Sequence, residues 1–195
     1  MSHKIFGTRG NSETSYRETL RKRLELLPFT APPAPWKLAG GSFIGGLSDV
    51  GYVPDTDDVL AVSAEGRILF DASTGKRLSH DPVDIFQDDP CLPHRTAPAI
   101  GKHTGVCVTL AGRHGGGLSR FTDDGWTIDI VQLPWPSHFL FLSAGYLSVT
   151  NATGDTWKLC DDNSYTFRAA GFSPTGRSFV FATSGEIVIF SRALG

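Results

Sequence analysis

The sequence predicts an all-β chain: an array of about four antiparallel units over residues 36–195, behind an extension of residues 1–35 that carries one helix and a proline-rich linker. Three observations predict it. Phe167–Ser173, Ser178–Thr183 and Ile187–Ser191 read as three strands joined by the turns Pro174–Arg177 and Ser184–Glu186, where proline presets φ and glycine accepts a positive φ. The second and third of these runs are nearly continuous in apolar residues, the pattern of a strand covered on both faces. The same unit recurs near the start of the chain, and a composition of 22 glycines, 12 prolines and only 19% charged residues is that of a turn-rich β protein.

In chain order, residues 1–11 read as a loose extension. Ser12 is the N-cap of a helix running to Leu27, with Glu13 favourable to the dipole in its first turn. Tyr16, Leu20, Leu24 and Leu27 recur at helical spacing, while Arg17, Arg21, Lys22 and Arg23 cover the other side. The stripe is narrow and Glu18 and Glu25 dilute the basic face, so packing against the main domain is expected rather than a membrane or nucleic-acid surface. The four prolines of Pro28–Pro35 end the helix and stiffen the linker. Trp36–Leu38 then enters the β region as a short strand.

The first unit comprises Leu47–Val53, Val59–Ser63, Arg67–Asp71 and Lys76–Ser79, with turns at Pro54–Asp58, Ala64–Gly66 and Ala72–Gly75. A second unit is expected from Ala97–Ile100, Gly105–Leu110, Leu118–Thr122 and Trp126–Val131, with the loop Ala111–Gly117 inside it. A third uses His138–Ser143, Tyr146–Thr150 and Thr156–Cys160, leaving little chain for a fourth strand. Repeats of this size argue for a solenoid or a propeller.

Val53–Asp55 with Val59–Asp71, and Gly171–Gly176 with Phe179–Phe190, resemble β-propeller blades of the WD-repeat kind. The resemblance spans residues 40–192 and implies a small β-propeller-like array of about four antiparallel blades. It further implies that a strand from the other end of the chain, Trp36–Ser42, completes the last unit. Two chains sharing a ring, or an open β array, are the alternatives.

Eighteen basic against twenty acidic side chains give a formal net charge of −2 with no block of like charge, which argues against a nucleic-acid groove. No apolar run reaches eighteen residues, so no membrane span is expected. Cys91, Cys107 and Cys160 lack CxxC spacing, and the N-terminus lacks an apolar signal core, which together lead to the expectation of a cytoplasmic protein with small core cysteines.

No nucleophile elbow, phosphate loop or zinc motif is present, and the sequence predicts no catalytic residue, metal or cofactor. The acidic clusters at 55–58, 88–89, 123–124 and 161–162 lack the spacing of a calcium loop and read as turn formers. In a propeller the connecting loops gather His80, Asp88, Asp89, His94, Arg95, Arg113, His114, Trp135, Asn151 and Asp155 on one face. Exposed arginine, tryptophan and histidine on a rigid scaffold suit recognition of a protein partner. The expected function is therefore a non-enzymatic binding module, most specifically a bacterial immunity or antitoxin protein that blocks a cognate toxin. A glycan- or small-ligand-binding propeller, or a hydrolase or lyase with a site at the central channel, is the alternative.

Overall fold

The computed structural model describes residues 9–83, 95–133, 136–150 and 155–193. The chain runs α1 (Arg9–Leu26), β1 (Trp36–Phe43), β2 (Leu47–Tyr52), β3 (Asp58–Ser63), β4 (Gly66–Asp71), β5 (Lys76–Asp81), β6 (Thr96–Pro98), β7 (Cys107–Thr109), β8 (Ala111–Gly112), β9 (Thr127–Gln132), β10 (His138–Ser143), β11 (Thr156–Asp161), β12 (Phe167–Phe172), β13 (Ser178–Thr183) and β14 (Glu186–Arg192). A 3-10 turn at Gly101–His103 lies between β6 and β7.

The strands form antiparallel sheets ordered β5-β4-β3-β2-β8, β1-β14-β13-β12, β11-β10-β9 and β6-β7. The two clear sequence units are each a sheet, with the expected turns. In the last, Ser173 and Ser178 close the turn through Ser173 N–H to Ser178 O (2.9 Å), and Gly176 adopts φ +68°. The N-terminal strand β1 lies antiparallel on β14, from Trp36 opposite Arg192 to Phe43 opposite Glu186, and so supplies the fourth strand of that sheet.

The sheets and the helix stack in series, and period-2 alternation explains the continuous apolar runs. Along β13, Val180 and Ala182 face the β2–β5 sheet and meet Val50, Val59 and Ala61, while Phe179 and Phe181 point the other way to Leu140, Leu142 and Ile128. In the first sheet Val59 and Ala61 fill the same core as Val180, whereas Leu60 and Val62 pack on Ala97, Ile100 and Val108 of the β6–β7 layer. In the third, Leu140 and Leu142 face β13 and Phe139 and Phe141 face the helix. Every residue of β2, β3 and β13 is buried. Both faces are spent on burial, so both are mainly apolar, and the buried carboxylates among them, Asp49 and Asp58, are hydrogen-bonded. The described residues thus show several antiparallel sheets and one helix in layers, and no closed ring.

The helix packs as the stripe predicts. Leu24 is buried against Phe139, Phe141, Leu133 and Val149, with Leu20 and Leu27 alongside, and Arg23 donates to the Val149 carbonyl (3.0 Å). It begins at Arg9, earlier than a Ser12 cap allows, and Tyr16 remains more than half exposed while its hydroxyl donates to Thr150 O (2.6 Å). The linker is tied to the edge of β11: Thr30 N–H donates to Lys158 O (2.9 Å), and the Lys158 ammonium lies 4.8 Å from the Phe29 ring centre and 4.2 Å from that of Phe139. No described helix is long and apolar enough to cross a membrane.

The expected second unit does not form. Only β6 and β7 pair as a hairpin, and Thr127–Gln132 joins the third sheet as β9 against β10. Leu118–Thr122 makes isolated bridges, Ser119 to Phe172 and Phe121 to Thr127, and Tyr146–Thr150 forms no strand. The reason lies in the inner edges of β2 and β12, whose backbone groups need partners. The chain from Thr109 to Phe121 supplies them: β8 pairs with Asp49 and Val50, and Ser119 O accepts Phe172 N–H (2.8 Å). The contact is so close that a Cβ at Gly51 would lie 2.3 Å from Thr109 O, and one at Gly171 2.3 Å from Cβ of Leu118. Cys107 is also a correction, since it is exposed on β7 rather than in a core; Cys160 is partly buried, and burial pushes its thiol well above the usual range.

Trp36 is the keystone of β1. It is 3% exposed, with the Phe179 ring centroid at 4.8 Å, Phe172 at 5.6 Å and Trp126 at 5.9 Å, and the Arg192 guanidinium 4.5 Å above its ring. Trp36→Ala is expected to cost about 3–5 kcal/mol by urea denaturation, whereas Leu38→Ala on the same strand, 59% exposed, should stay within about 0.5 kcal/mol. Equal losses at the two positions would refute this account of β1.

Candidate recognition face

Gly112–Gly115 forms a tight turn with Arg113 and His114 at its tip. Gly112 N–H donates to Gly115 O (3.0 Å) and Gly115 N–H returns to Gly112 O (3.1 Å). Gly112 has φ +154°, and a Cβ there would lie 2.3 Å from the Ser48 carbonyl oxygen, so glycine is what lets the loop lie on β2. Arg113 N–H donates to that same carbonyl (2.9 Å).

The loop is held from below by Asp49, a residue of β2 only 1% exposed. Its Oδ1 accepts the His114 backbone N–H (3.2 Å), and its Oδ2 lies 2.8 Å from His114 Nδ1. A carboxylate accepts only, so this contact places a proton on Nδ1 and fixes the imidazole plane. The ring itself is half exposed. A buried carboxylate without such partners would be costly, and here the hydrogen bonds from His114 offset the cost and orient an exposed side chain.

The structure brings three of the predicted face residues together. Arg113 and His114 form the tip, and Arg95 is exposed beside them: its carbonyl accepts Leu110 N–H (2.8 Å) and its side chain runs past Gly115. His80 stands on β5, with β4 and β3 between it and β2, its Nε2 3.2 Å from Glu65 O. Asp155 precedes β11 in a different layer, where its carbonyl accepts Ala144 N–H (3.2 Å). Asp88, Asp89, His94, Trp135 and Asn151 lie outside the described residues.

Histidines and carboxylates pair separately rather than converging. Asp58 holds His103 (2.6 Å) together with Lys102 (2.7 Å), and Asp162 takes both the backbone N–H (3.0 Å) and Nδ1 (3.1 Å) of His138. Among the described residues no group of three or more His, Cys, Asp or Glu is placed to hold a metal. Among the predicted acidic turns, Asp161 accepts the backbone N–H two residues on, and Asp71 and Asp81, outside the predicted clusters, do the same. For Asp81 that bond from Val83 is the main reason its carboxyl sits below the usual range.

Two kinds of residue escaped sequence reasoning. Asp49 had a signal, a charge inside the apolar run Leu47–Val53, which a buried strand tolerates only if the carboxylate is bound. Asp124 and Arg192 had none, since 68 residues separate them; both Nη atoms of Arg192 meet the two Asp124 oxygens (Nη2–Oδ1 2.7 Å). Those hydrogen bonds hold the Asp124 carboxyl down to about 2, against the opposing effect of burial.

Comparison with models of protein families, with curated proteins and with solved structures finds no match to this chain.

A depressed carboxyl contributes stability above its unfolded value near 3.9 and loses it as pH falls through the folded value. Asp124 is half exposed, so the expected effect is small. Asp124→Asn should lower stability by about 1 kcal/mol at pH 7, and the gap to the natural protein should close between about pH 4 and pH 2. Thermal melts over that range check it, and a gap that persists at pH 2 would contradict the pairing.

Proposed function

We propose that this chain is a protein-binding module on a propeller-like scaffold, presenting Arg95, Arg113 and His114 to a partner with an acidic surface. The observation that carries the proposal is the buried Asp49, which spends its hydrogen bonds on the backbone and ring of an exposed histidine. A loop fixed in this way loses little conformational entropy on binding. Arginine is among the side chains that contribute most to interfaces, through bidentate contacts with carboxylates. The antiparallel run β2–β5 in the first sheet, the four strands of the last sheet, and the N-terminal strand laid on the C-terminal one support the propeller-like scaffold.

The narrower proposal, drawn from the resemblance alone, is a bacterial immunity or antitoxin protein of the cytoplasm that covers the active site of a cognate toxin. Fold analogy does not by itself carry function, so the partner must be found by experiment.

The test is co-purification of the tagged protein with the product of the neighbouring open reading frame, followed by affinity measurement. Arg113→Ala is expected to weaken a stoichiometric partner at least about tenfold with the melting temperature unchanged, and Asp49→Asn to weaken it by loosening the loop. A partner that binds natural protein and Arg113→Ala with equal affinity would sink this face as the interface.

A further inference from the structure

Away from the recognition loop, the turn Ser173–Gly176 and the segment Ser119–Asp124 enclose a cleft of about 330 Å³, at the small end of the range for ligand sites. Its chemistry follows from where the lining groups spend their protons. Ser173 Oγ and Thr175 Oγ1 both donate to Oδ1 of Asp57 (2.6 and 2.7 Å), in the turn after β2. Ser119 Oγ donates to Phe121 O (2.8 Å). Arg192, its side chain 3% exposed, gives Nε–H to Gly176 O (2.9 Å) and its Nη groups to Asp124. These three hydroxyls are left with lone pairs and no proton to offer, Thr122 Oγ1 accepts Trp126 N–H (2.9 Å) and gives its own proton to Asp124, and the Asp123 and Asp124 carboxylates accept only. Two carboxylates against one guanidinium leave the lining at a formal charge of −1. Phe121 adds an aromatic ring 58% exposed.

A ligand for this cleft must bring protons, positive charge and a short apolar stem. The net negative charge repels an anion, and a neutral sugar finds no hydroxyl proton for its own oxygens among Ser119, Ser173 and Thr175. We infer that the cleft binds an alkylammonium or alkylguanidinium group, with its charge on Asp123 and Asp124 and its stem on Phe121. The group comes either from a lysine or arginine side chain of a partner or from a free polyamine. The inference is independent of the proposed recognition face, which Asp49 organises near the start of β2.

Intact protein would be titrated at low salt with Nα-acetyl-lysine methylamide, Nα-acetyl-arginine methylamide, spermidine and glucose, following amide shifts by NMR. Saturable binding of a cationic probe is expected at about millimolar Kd, with shifts at Phe121, Asp123 and Gly176 and none for glucose. Spermidine binding tighter than the capped amino acids assigns the free polyamine, and the reverse order assigns a partner side chain. Asp123→Asn should weaken the cationic probe about tenfold and leave the melting temperature unchanged, since Asp123 is exposed; Phe121→Ser should weaken it several-fold. Glucose binding as tightly as the cations, affinity unaltered in Asp123→Asn, or no saturation by any cation would each overturn the inference.

Discussion

The antiparallel pairing of β1 with β14 is the constraint on which the rest of the structure depends. Without it the buried β14 would become an edge, with unpaired backbone groups along one side. The same pairing seats Trp36 against Phe172 and Phe179 and slides its ring under Arg192. Arg192 in turn reaches Gly176 and Asp124, so the last sheet, its turn and the segment before β9 are fastened at one corner. A strand from one end of the chain on the other also couples the two ends, so opening either exposes the same core.

Carboxylates do the fastening elsewhere. Asp57 collects the hydroxyls of Ser173, Thr175 and Ser178 across the gap between the first and last sheets. Asp49, Asp58 and Asp162 are each less than a tenth exposed, and each holds an imidazole. A buried charge costs several kcal/mol unless hydrogen-bonded, so these contacts are compulsory, and a compulsory contact admits one geometry. Loops at the ends of the sheets are thereby set in position, which suits a recognition surface better than mobile loops would.

Much of the architecture was legible because burial on both faces writes itself into sequence. Ser178–Thr183 and Val59–Ser63 are apolar at nearly every position, and the structure shows why: odd and even residues fill different cores. The helical stripe was legible for the same reason, with Leu24 at its centre. The second unit was misread because short apolar runs such as Gly105–Leu110 and Trp126–Val131 carry no mark of which strand they will pair with. Thr127–Gln132 satisfies β10, and Ala111–Gly112 satisfies the free edge of β2.

The sequence by itself determined the all-β class, the first and last sheets, the helix with its buried stripe and the prolines that end it, because periodicity and turn chemistry act over a few residues. Tertiary structure alone decided which strands the middle of the chain pairs with, that Asp49 lies beneath His114, and that Arg192 meets Asp124. Hydrogen bonds between groups 65 and 68 residues apart obey geometry rather than spacing, and nothing in the order of residues records them.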